Sequence, residues 1–302
     1  MRVIPPITIT AGILTSSSIA EPYAGETTWA AGAYTAGDIR IRTSNHKKYQ
    51  CLVTGTHTSV PESDPTNWFE LGPTNKWAMF DTLRNSATTD TSSIVVTLTP
   101  ATRVNSLALL QLNATTVTIS VSSTIGGGVV YTKTLNLHKR KTVRWYEYFF
   151  TDIETRPSAI VFDIPEYTDP VITVTIAGGP SVSCGALIIG MNINLGYTQP
   201  GINCSALNFS TVDRDIYGNA TMVQRRTVPK NSLKVYTPVG NLDILRQVRD
   251  DLNAIPAVWS GLDDQDTHDY FEALLILGFY RTFSINAENQ EYASIDLELE
   301  EI

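Results

Sequence analysis

The sequence contains little cysteine. Its three cysteines, Cys51, Cys184 and Cys204, form no CxxC pair, and one of them stays unpaired under any bridging. This pattern excludes a disulfide scaffold. We expect reduced, mostly buried thiols, with a bridge between Cys184 and Cys204 as the open alternative.

Catalytic motifs are also lacking. There is no P-loop, GxGxxG, HExxH or GxSxG motif, and none of the four histidines lies in a nucleophile-elbow context. Glycoside hydrolysis needs only two carboxylates, which no motif excludes. However, no segment is recognisable as a hydrolase domain. We therefore predict no enzymatic activity, no catalytic residue, no cofactor and no metal site.

Long hydrophobic runs are missing as well. The longest, Ala273 to Leu277, is far shorter than the roughly 20 residues that span a bilayer. The first ten residues contain Pro5, Pro6 and two threonines where a signal peptide requires a continuous apolar segment. We expect neither membrane insertion nor a signal peptide.

Negative charge is concentrated in one part of the chain. Residues 241–302 carry 14 Asp and Glu against 3 Lys and Arg, whereas residues 1–240 carry 16 against 19. This asymmetry favours a separate C-terminal domain, predicted at 201–302, and argues against nucleic-acid binding there.

Short β-branched runs with a period of two dominate the middle of the sequence and predict strands. Turn residues such as Gly126-Gly127-Gly128 and Gly178-Gly179-Pro180 separate them. Short strands that turns separate at regular intervals predict a β-sandwich over residues 76–200. The predicted strands are Ile94–Leu98, Leu107–Leu110, Val117–Val121, Val129–Tyr131, Ala159–Phe162 and Val171–Ile176.

Residues 26–72 contain regularly placed aromatics around a predicted hairpin. Gly37-Asp38 is a tight-turn pair before the alternating strand Ile39–Arg42, and Ser44-Asn45-His46 leads back into a second strand. The aromatics that flank and enter this hairpin can stack across it as a miniature core. They are Trp29, Tyr34, Tyr49 and Trp68.

This pattern resembles the small chitin-binding type of carbohydrate-binding module over about 45 residues. The resemblance implies saccharide contact through Trp29, Tyr34, Tyr49 and Trp68. The sequence departs from the family at 51–54, where Cys-Leu-Val-Thr replaces the exposed tryptophans of chitin-binding versions. The alternative is that the four aromatics are the core of a very small domain, and this alternative is favoured.

A basic cluster, His138 to Lys141, precedes the aromatic run Val143 to Phe150. Basic residues beside aromatics can bind single-stranded nucleic acid or an anionic glycan. A solvated loop leading into an aromatic core strand is favoured, because the chain has no wider basic face.

The C-terminal part predicts one helix and one hairpin. Asn241 is a candidate N-cap for a helix from Leu242 to Leu252, and Ala273–Asn286 pairs with Glu291–Glu300. The acidic stretch Asp263–Asp269 lacks the order of a calcium loop, so a solvated loop is favoured. The hairpin either closes its own domain or, by strand addition to a neighbouring sheet, makes the last strand an assembly interface. Its residues are Ile295, Asp296, Leu297, Glu298, Leu299 and Glu300.

The expected architecture is mainly β, with the module, the sandwich and a C-terminal α+β domain. Residues 1–25 are expected to form an N-terminal arm or an edge strand of the sandwich, and both alternatives stay open. Lys76 to Asp81 and the following strands resemble the entry of a galactose-binding, discoidin-like jelly roll. This combination of predicted domains resembles a minor tail, tail-tip or baseplate protein of a tailed bacteriophage. This resemblance implies a virion protein that assembles in the host cytoplasm, oligomerises, binds other phage tail proteins and contacts cell-surface glycan during host attachment. The alternatives are a free lectin-like protein and a phage-borne depolymerase.

Overall fold

The computed structural model describes residues 1–83, 85–139, 144–150, 154–262, 271–287 and 289–302. The chain forms two compact units. Unit 1 comprises Met1–Ile7 and Ile189–Ile302, and unit 2 comprises Thr8–Ile188. The sequence-based boundary at residue 200 is therefore replaced by one between Ile188 and Ile189. Residues 1–7 belong with the C-terminal part because they pair with its strands.

The strands of unit 2 are short and antiparallel. They are β2 Leu14–Ser17, β3 Gly32–Tyr34, β4 Ile39–Arg42, β5 Lys47–Cys51, β6 Gly55–His57, β7 Trp68–Pro73, β8 Thr88–Asp90, β9 Ser93–Leu98, β10 Ser106–Leu110, β11 Thr116–Ser122, β12 Val129–Asn136, β13 His138–Lys139, β14 Glu154–Thr155, β15 Ser158–Val161, β16 Val171–Ala177, β17 Val182–Cys184 and β18 Ala186–Gly190, whose last two residues belong to unit 1.

The strands of unit 1 include the longest in the chain. They are β1 Arg2–Ile4, β19 Ile193–Asn194, β20 Tyr197–Thr198, β21 Asn203–Asn208, β22 Thr211–Arg214, β23 Ala220–Val223, β24 Thr227–Pro238, β25 Ala257–Ser260, β26 Leu275–Ala287 and β27 Tyr292–Glu301.

Two α-helices are described, α1 Trp145–Phe150 in unit 2 and α2 Leu242–Asp251 in unit 1. Short 3-10 turns cover Pro61–Ser63, Ala78–Phe80, Val239–Asn241 and Glu272–Leu274. The predicted C-terminal helix is confirmed, with Leu245 and Val248 buried. Asn241 does not cap it as predicted, because it is already helical and its side chain makes no capping hydrogen bond.

Unit 2 is organised around a five-stranded sheet in the order β12-β11-β16-β9-β2. Strands β9, β11 and β16 alternate between buried and half-buried residues, as the period of two predicted. A three-stranded sheet, β15-β10-β18, is buried along its whole length. The expected class, mainly β with a sandwich and a small C-terminal helix, is confirmed. Residues 32–73 add the sheets β3-β6 and β4-β5-β7.

Unit 1 contains one large antiparallel sheet in the order β19-β1-β25-β26-β27-β24-β20, and β21 also pairs with β24. Its core includes Leu233, Trp259 and Leu297, and helix α2 contributes Leu245 to the same core. The chain enters and leaves this unit at one point, where the Ile7 N–H donates to the Ile189 carbonyl at 3.0 Å.

Candidate functional site

The four aromatics singled out in the sequence form the small core of residues 26–73. Tyr34, Tyr49 and Trp68 are buried with Cys51, and Trp29 packs half-buried against them. The rings of Tyr34 and Trp68 meet edge to face at 5.1 Å. The Tyr34 hydroxyl accepts from the Ala30 N–H at 3.1 Å.

This burial corrects the assignment of these aromatics as a saccharide platform. A platform needs an exposed ring face, and Trp68 is only 2% exposed. The guanidinium of Arg40 covers the Tyr34 ring at 5.0 Å, and that of Arg42 covers the Trp29 ring at 5.4 Å. The four rings therefore hold the module together.

A different site lies within unit 2, in a cleft of about 380 Å³. Three separate stretches of chain, at 9–11, 45–47 and 70–83, contribute to it. Its lining mixes apolar, aromatic and ionisable side chains, which is the usual composition of a small-ligand site. The lining residues are Ile9, Thr10, Ala11, Asn45, His46, Lys47, Glu70, Gly72, Pro73, Trp77, Phe80, Asp81 and Leu83.

One buried carboxylate fixes the aromatic wall of this cleft. Glu21 accepts hydrogen bonds from His46 Nδ1 at 2.9 Å, from the Thr74 hydroxyl at 2.8 Å and from Trp77 Nε1 at 3.2 Å. The rings of His46 and Trp77 stack at 4.3 Å. A carboxylate can only accept, so His46 donates from Nδ1.

Ionisable side chains supply the polar part of the lining. Lys47 and Glu70 form an ion pair at 2.7 Å, with both side chains half exposed. Burial raises the pKa of Asp81 above its usual value, opposed by hydrogen bonds from the Ser86 hydroxyl and the Leu83 N–H. A half-buried carboxylate with a raised pKa is a frequent feature of binding sites.

Two residues at the cleft have left-handed backbones. His46 has a φ of 60° and the neighbour of Asp81, Thr82, has a φ of 59°. Such a conformation costs about 1–3 kcal/mol for a residue other than glycine. Strain of this kind persists where the surrounding structure imposes it, and here it shapes both sides of the same cleft.

Strand β27, predicted as an assembly interface, lies inside the sheet of unit 1. It pairs with β24 on one side and β26 on the other, so it has no open edge for strand addition. Ile295, Leu297 and Leu299 are fully buried in the core of unit 1, which corrects their assignment to a partner surface. Asp296 and Glu298 are exposed.

Glu300, the last predicted interface residue, is buried and held by two cations. Arg281 donates to it at 2.9 Å, and Lys230 lies 3.6 Å away. The hydrogen bond from Arg281 lowers the pKa of Glu300 more than burial raises it. Glu300 therefore links β24, β26 and β27 within the chain.

A highly exposed segment of unit 1 is the two-stranded ribbon at residues 209–226, here called the arm. Among the described strands, β22 and β23 pair only with each other, and every residue from 211 to 226 is exposed. The tip of the arm is a turn that hydrogen bonds stabilise. The Asp215 carboxylate accepts from the backbone N–H groups of Tyr217 and Asn219 at 2.9 and 2.8 Å. Large apolar side chains point into solvent: Phe209, Val212, Ile216, Tyr217, Met222 and Val223.

The aromatic run after the basic cluster differs from its prediction. Residues Trp145–Phe150 form a short helix instead of a core strand, and Trp145 is 81% exposed. His138 and Lys139 form an exposed strand pair with β14. Residues 140–143 and the acidic stretch Asp263–Asp269 lie outside the described residues.

The cysteines differ in exposure, which gives a direct test of the predicted thiol states. All three are free, Cys51 and Cys184 are buried, and Cys204 is exposed. Burial raises the pKa of Cys184 to about 12.

We expect maleimide to label one thiol in the native protein and three in denaturant, as counted by mass spectrometry. Cys204→Ser should abolish the native labelling, and a Cys184–Cys204 bridge would leave no rapidly labelled thiol.

Among the described residues, no cluster of three or more His, Cys, Asp or Glu could hold a metal ion. Within the same part of the chain, no helix has the length and apolar character needed to cross a bilayer.

Comparison with known proteins gave no match to a family model and no match to a curated protein. The functional assignment therefore depends on the surfaces and the cleft described above.

Sequence reasoning missed both the cleft and the arm. The Ser44-Asn45-His46 turn was visible in the sequence, but its contact with Trp77 joins residues about 30 positions apart. A sequence pattern that predicts strands does not reveal that residues 211–226 are exposed on both faces of the ribbon.

Proposed function

We propose that this chain is a structural protein of a bacteriophage tail tip that assembles with other tail proteins. The observation that carries the proposal is the arm. A two-stranded ribbon alone in water is marginally stable. Exposed aromatic and branched side chains on such a ribbon are typical of a surface that packs against a partner.

The chemistry of the arm supports packing against a protein. Val212 lies directly opposite Met222, which gives the ribbon an apolar pair on one face. Ile216 and Tyr217 at the tip are 91% and 84% exposed. Large side chains inserted in a partner pocket supply most of the binding energy of many interfaces.

The resemblance of residues 29–68 to a module found in phage tail proteins supports the choice of assembly. The arm favours this choice over a free lectin-like protein, which needs no such projection. A depolymerase would require release of sugar from a polymer and its loss on replacing one carboxylate.

Replacing Ile216 and Tyr217 by serine is expected to weaken assembly and leave the fold intact. Losing two anchor side chains should weaken association by about 2 kcal/mol or more, roughly 30-fold in the dissociation constant. The measurements are light scattering of the purified chain and its co-sedimentation with phage particles. Circular dichroism should remain unchanged, because neither side chain is buried.

Ile125→Ser is the matched control, because Ile125 is 76% exposed but lies in unit 2. It should assemble as the original chain does. The proposal fails if the chain is monomeric at every concentration and is missing from particles.

A further inference from the structure

We propose that helix α1 docks this protein on the surface of a lipid bilayer that contains anionic phospholipid. The aromatic side chains of the helix enter the headgroup region, and the cations that precede it in the chain face the lipid phosphates. The proposal goes beyond the proposed function, because it concerns a surface of unit 2 and no residue of the arm.

Four of the six residues of helix α1 are aromatic side chains exposed to solvent. Successive residues of an α-helix are about 100° apart around its axis, so these four lie within one arc of about 140°. Their exposed fractions range from 68% to 81%. An exposed apolar surface of this kind marks a contact site for a protein or a membrane. The four residues are Trp145, Tyr146, Phe149 and Phe150.

The charge around this aromatic surface favours an anionic bilayer as the partner. Residues 138–156 carry five Lys and Arg against three Asp and Glu, a local charge of +2 in a chain of −8, which leaves −10 for the remaining residues. Lys139 and Arg144 are exposed, although Glu154 lies opposite Lys139 on the paired strand. An anionic surface attracts this stretch and repels the rest of the chain, so the field of the protein turns helix α1 toward the lipid.

The composition of the helix is that of an interfacial anchor. Trp and Tyr concentrate at the membrane–water interface, and Lys and Arg beside an aromatic helix face are typical of helices that lie in the plane of the membrane. The helix has six residues and is therefore about 9 Å long. The hydrocarbon core is about 30 Å thick, so the helix rests in the interface and does not span the bilayer.

Single-stranded nucleic acid also contacts basic and aromatic side chains, but each base stacks on an open ring face. The rings of Tyr146 and Phe150 lie 4.8 Å apart at an angle of 32°, so they cover part of each other. The aromatic surface that remains is continuous and convex along the helix. A fluid headgroup region adapts to such a surface, whereas a row of bases requires separate ring faces.

The test is flotation of the full chain with vesicles. One set of vesicles contains equal parts of phosphatidylglycerol and phosphatidylcholine, and the other contains phosphatidylcholine alone. We expect the chain to float with the anionic vesicles and to bind the neutral ones more weakly. Added salt should weaken the anionic binding, because it screens exposed charges.

Trp145 reports the contact directly. All five tryptophans are among the described residues, and Trp145 is the exposed one, since Trp68, Trp77 and Trp259 are buried and Trp29 is half-buried. Vesicles should shift the emission to shorter wavelength, and brominated phosphatidylcholine in them should quench it. Trp145→Phe keeps an aromatic ring, so this variant should still float but lose the quenching.

The double variant Trp145→Ser with Phe149→Ser should weaken binding to anionic vesicles at least about tenfold, because two large apolar side chains no longer leave water. Lys139→Glu should weaken binding to anionic vesicles about tenfold and leave binding to neutral vesicles unchanged. Tyr197→Ser is the matched control. Tyr197 is 79% exposed but lies in unit 1, so its removal should leave vesicle binding unchanged.

Circular dichroism separates loss of the contact from loss of the fold. The side chains that the variants replace are exposed, so every spectrum should match that of the original chain. No flotation with anionic vesicles, unchanged affinity in the double variant, or binding of a single-stranded oligonucleotide in place of vesicles would overturn the inference. Arm variants that assemble normally would refute the proposed function alone, and vesicle binding by arm variants that no longer assemble would support the role of helix α1.

Discussion

Trp68→Ala is expected to unfold residues 26–73, with a loss of about 3–5 kcal/mol in the free energy of unfolding. Trp68 is the largest side chain in a core of four buried residues, so little else can fill the space. Near-ultraviolet circular dichroism and hydrogen exchange should report a local loss of protection at Tyr34 and Tyr49. The strands around Val96 should stay protected, because they have their own core.

Trp68→Phe is the matched comparison. It keeps an aromatic ring and removes an indole N–H that is buried without a hydrogen-bond partner. Leaving such a donor unpaired costs about 1–3 kcal/mol, so the Phe variant recovers part of what the smaller ring loses. If Trp68→Ala folded normally and lost only saccharide binding, the ring would be a ligand contact and the core assignment would be wrong.

The second large effect is expected in the sheet of unit 1. Leu297 lies between Leu233 and Phe283 on the neighbouring strands and is 1% exposed. Leu297→Ala should lower the free energy of unfolding by about 2–5 kcal/mol, because the flanking strands cannot close the cavity. Denaturant titration monitored by far-ultraviolet circular dichroism measures the loss.

Glu298→Ala, one residue further along the same strand, is the control. Glu298 is exposed and accepts a hydrogen bond from the Thr282 hydroxyl at 3.2 Å. Its removal should change the free energy of unfolding by about 0.5 kcal/mol or less. A Leu297→Ala variant that kept its stability but failed to assemble would restore the partner-surface assignment.

The strands of the central sheet could be predicted because their pattern is local. Ile94, Val96 and Leu98 alternate with half-buried residues, and a period of two leaves no other arrangement for a sheet with one buried face. The buried face of helix α2 could also be predicted from the sequence, because Leu245 and Val248 lie on the same side of the helix.

The secondary structure of the aromatic run at Trp145–Phe150 could not be predicted in this way. Aromatic residues favour strands in general, but that preference reflects packing on a half-buried sheet. The side chains of Trp145, Tyr146, Phe149 and Phe150 are exposed instead. The cleft was hidden for another reason. Glu21, His46 and Trp77 are far apart in sequence, and only the tertiary structure brings them together.

The junction between Ile7 and Ile189 has a consequence for how such a chain is made and altered. A hydrogen bond joins Ile7 and Ile189, the two points where residues 8–188 leave and rejoin unit 1. Strand β1 pairs with both β19 and β25, so its pairing is complete only after β25 has left the ribosome. Because these two points are adjacent, another domain with closely spaced termini can be grafted in place of residues 8–188 without re-routing the sheet of unit 1.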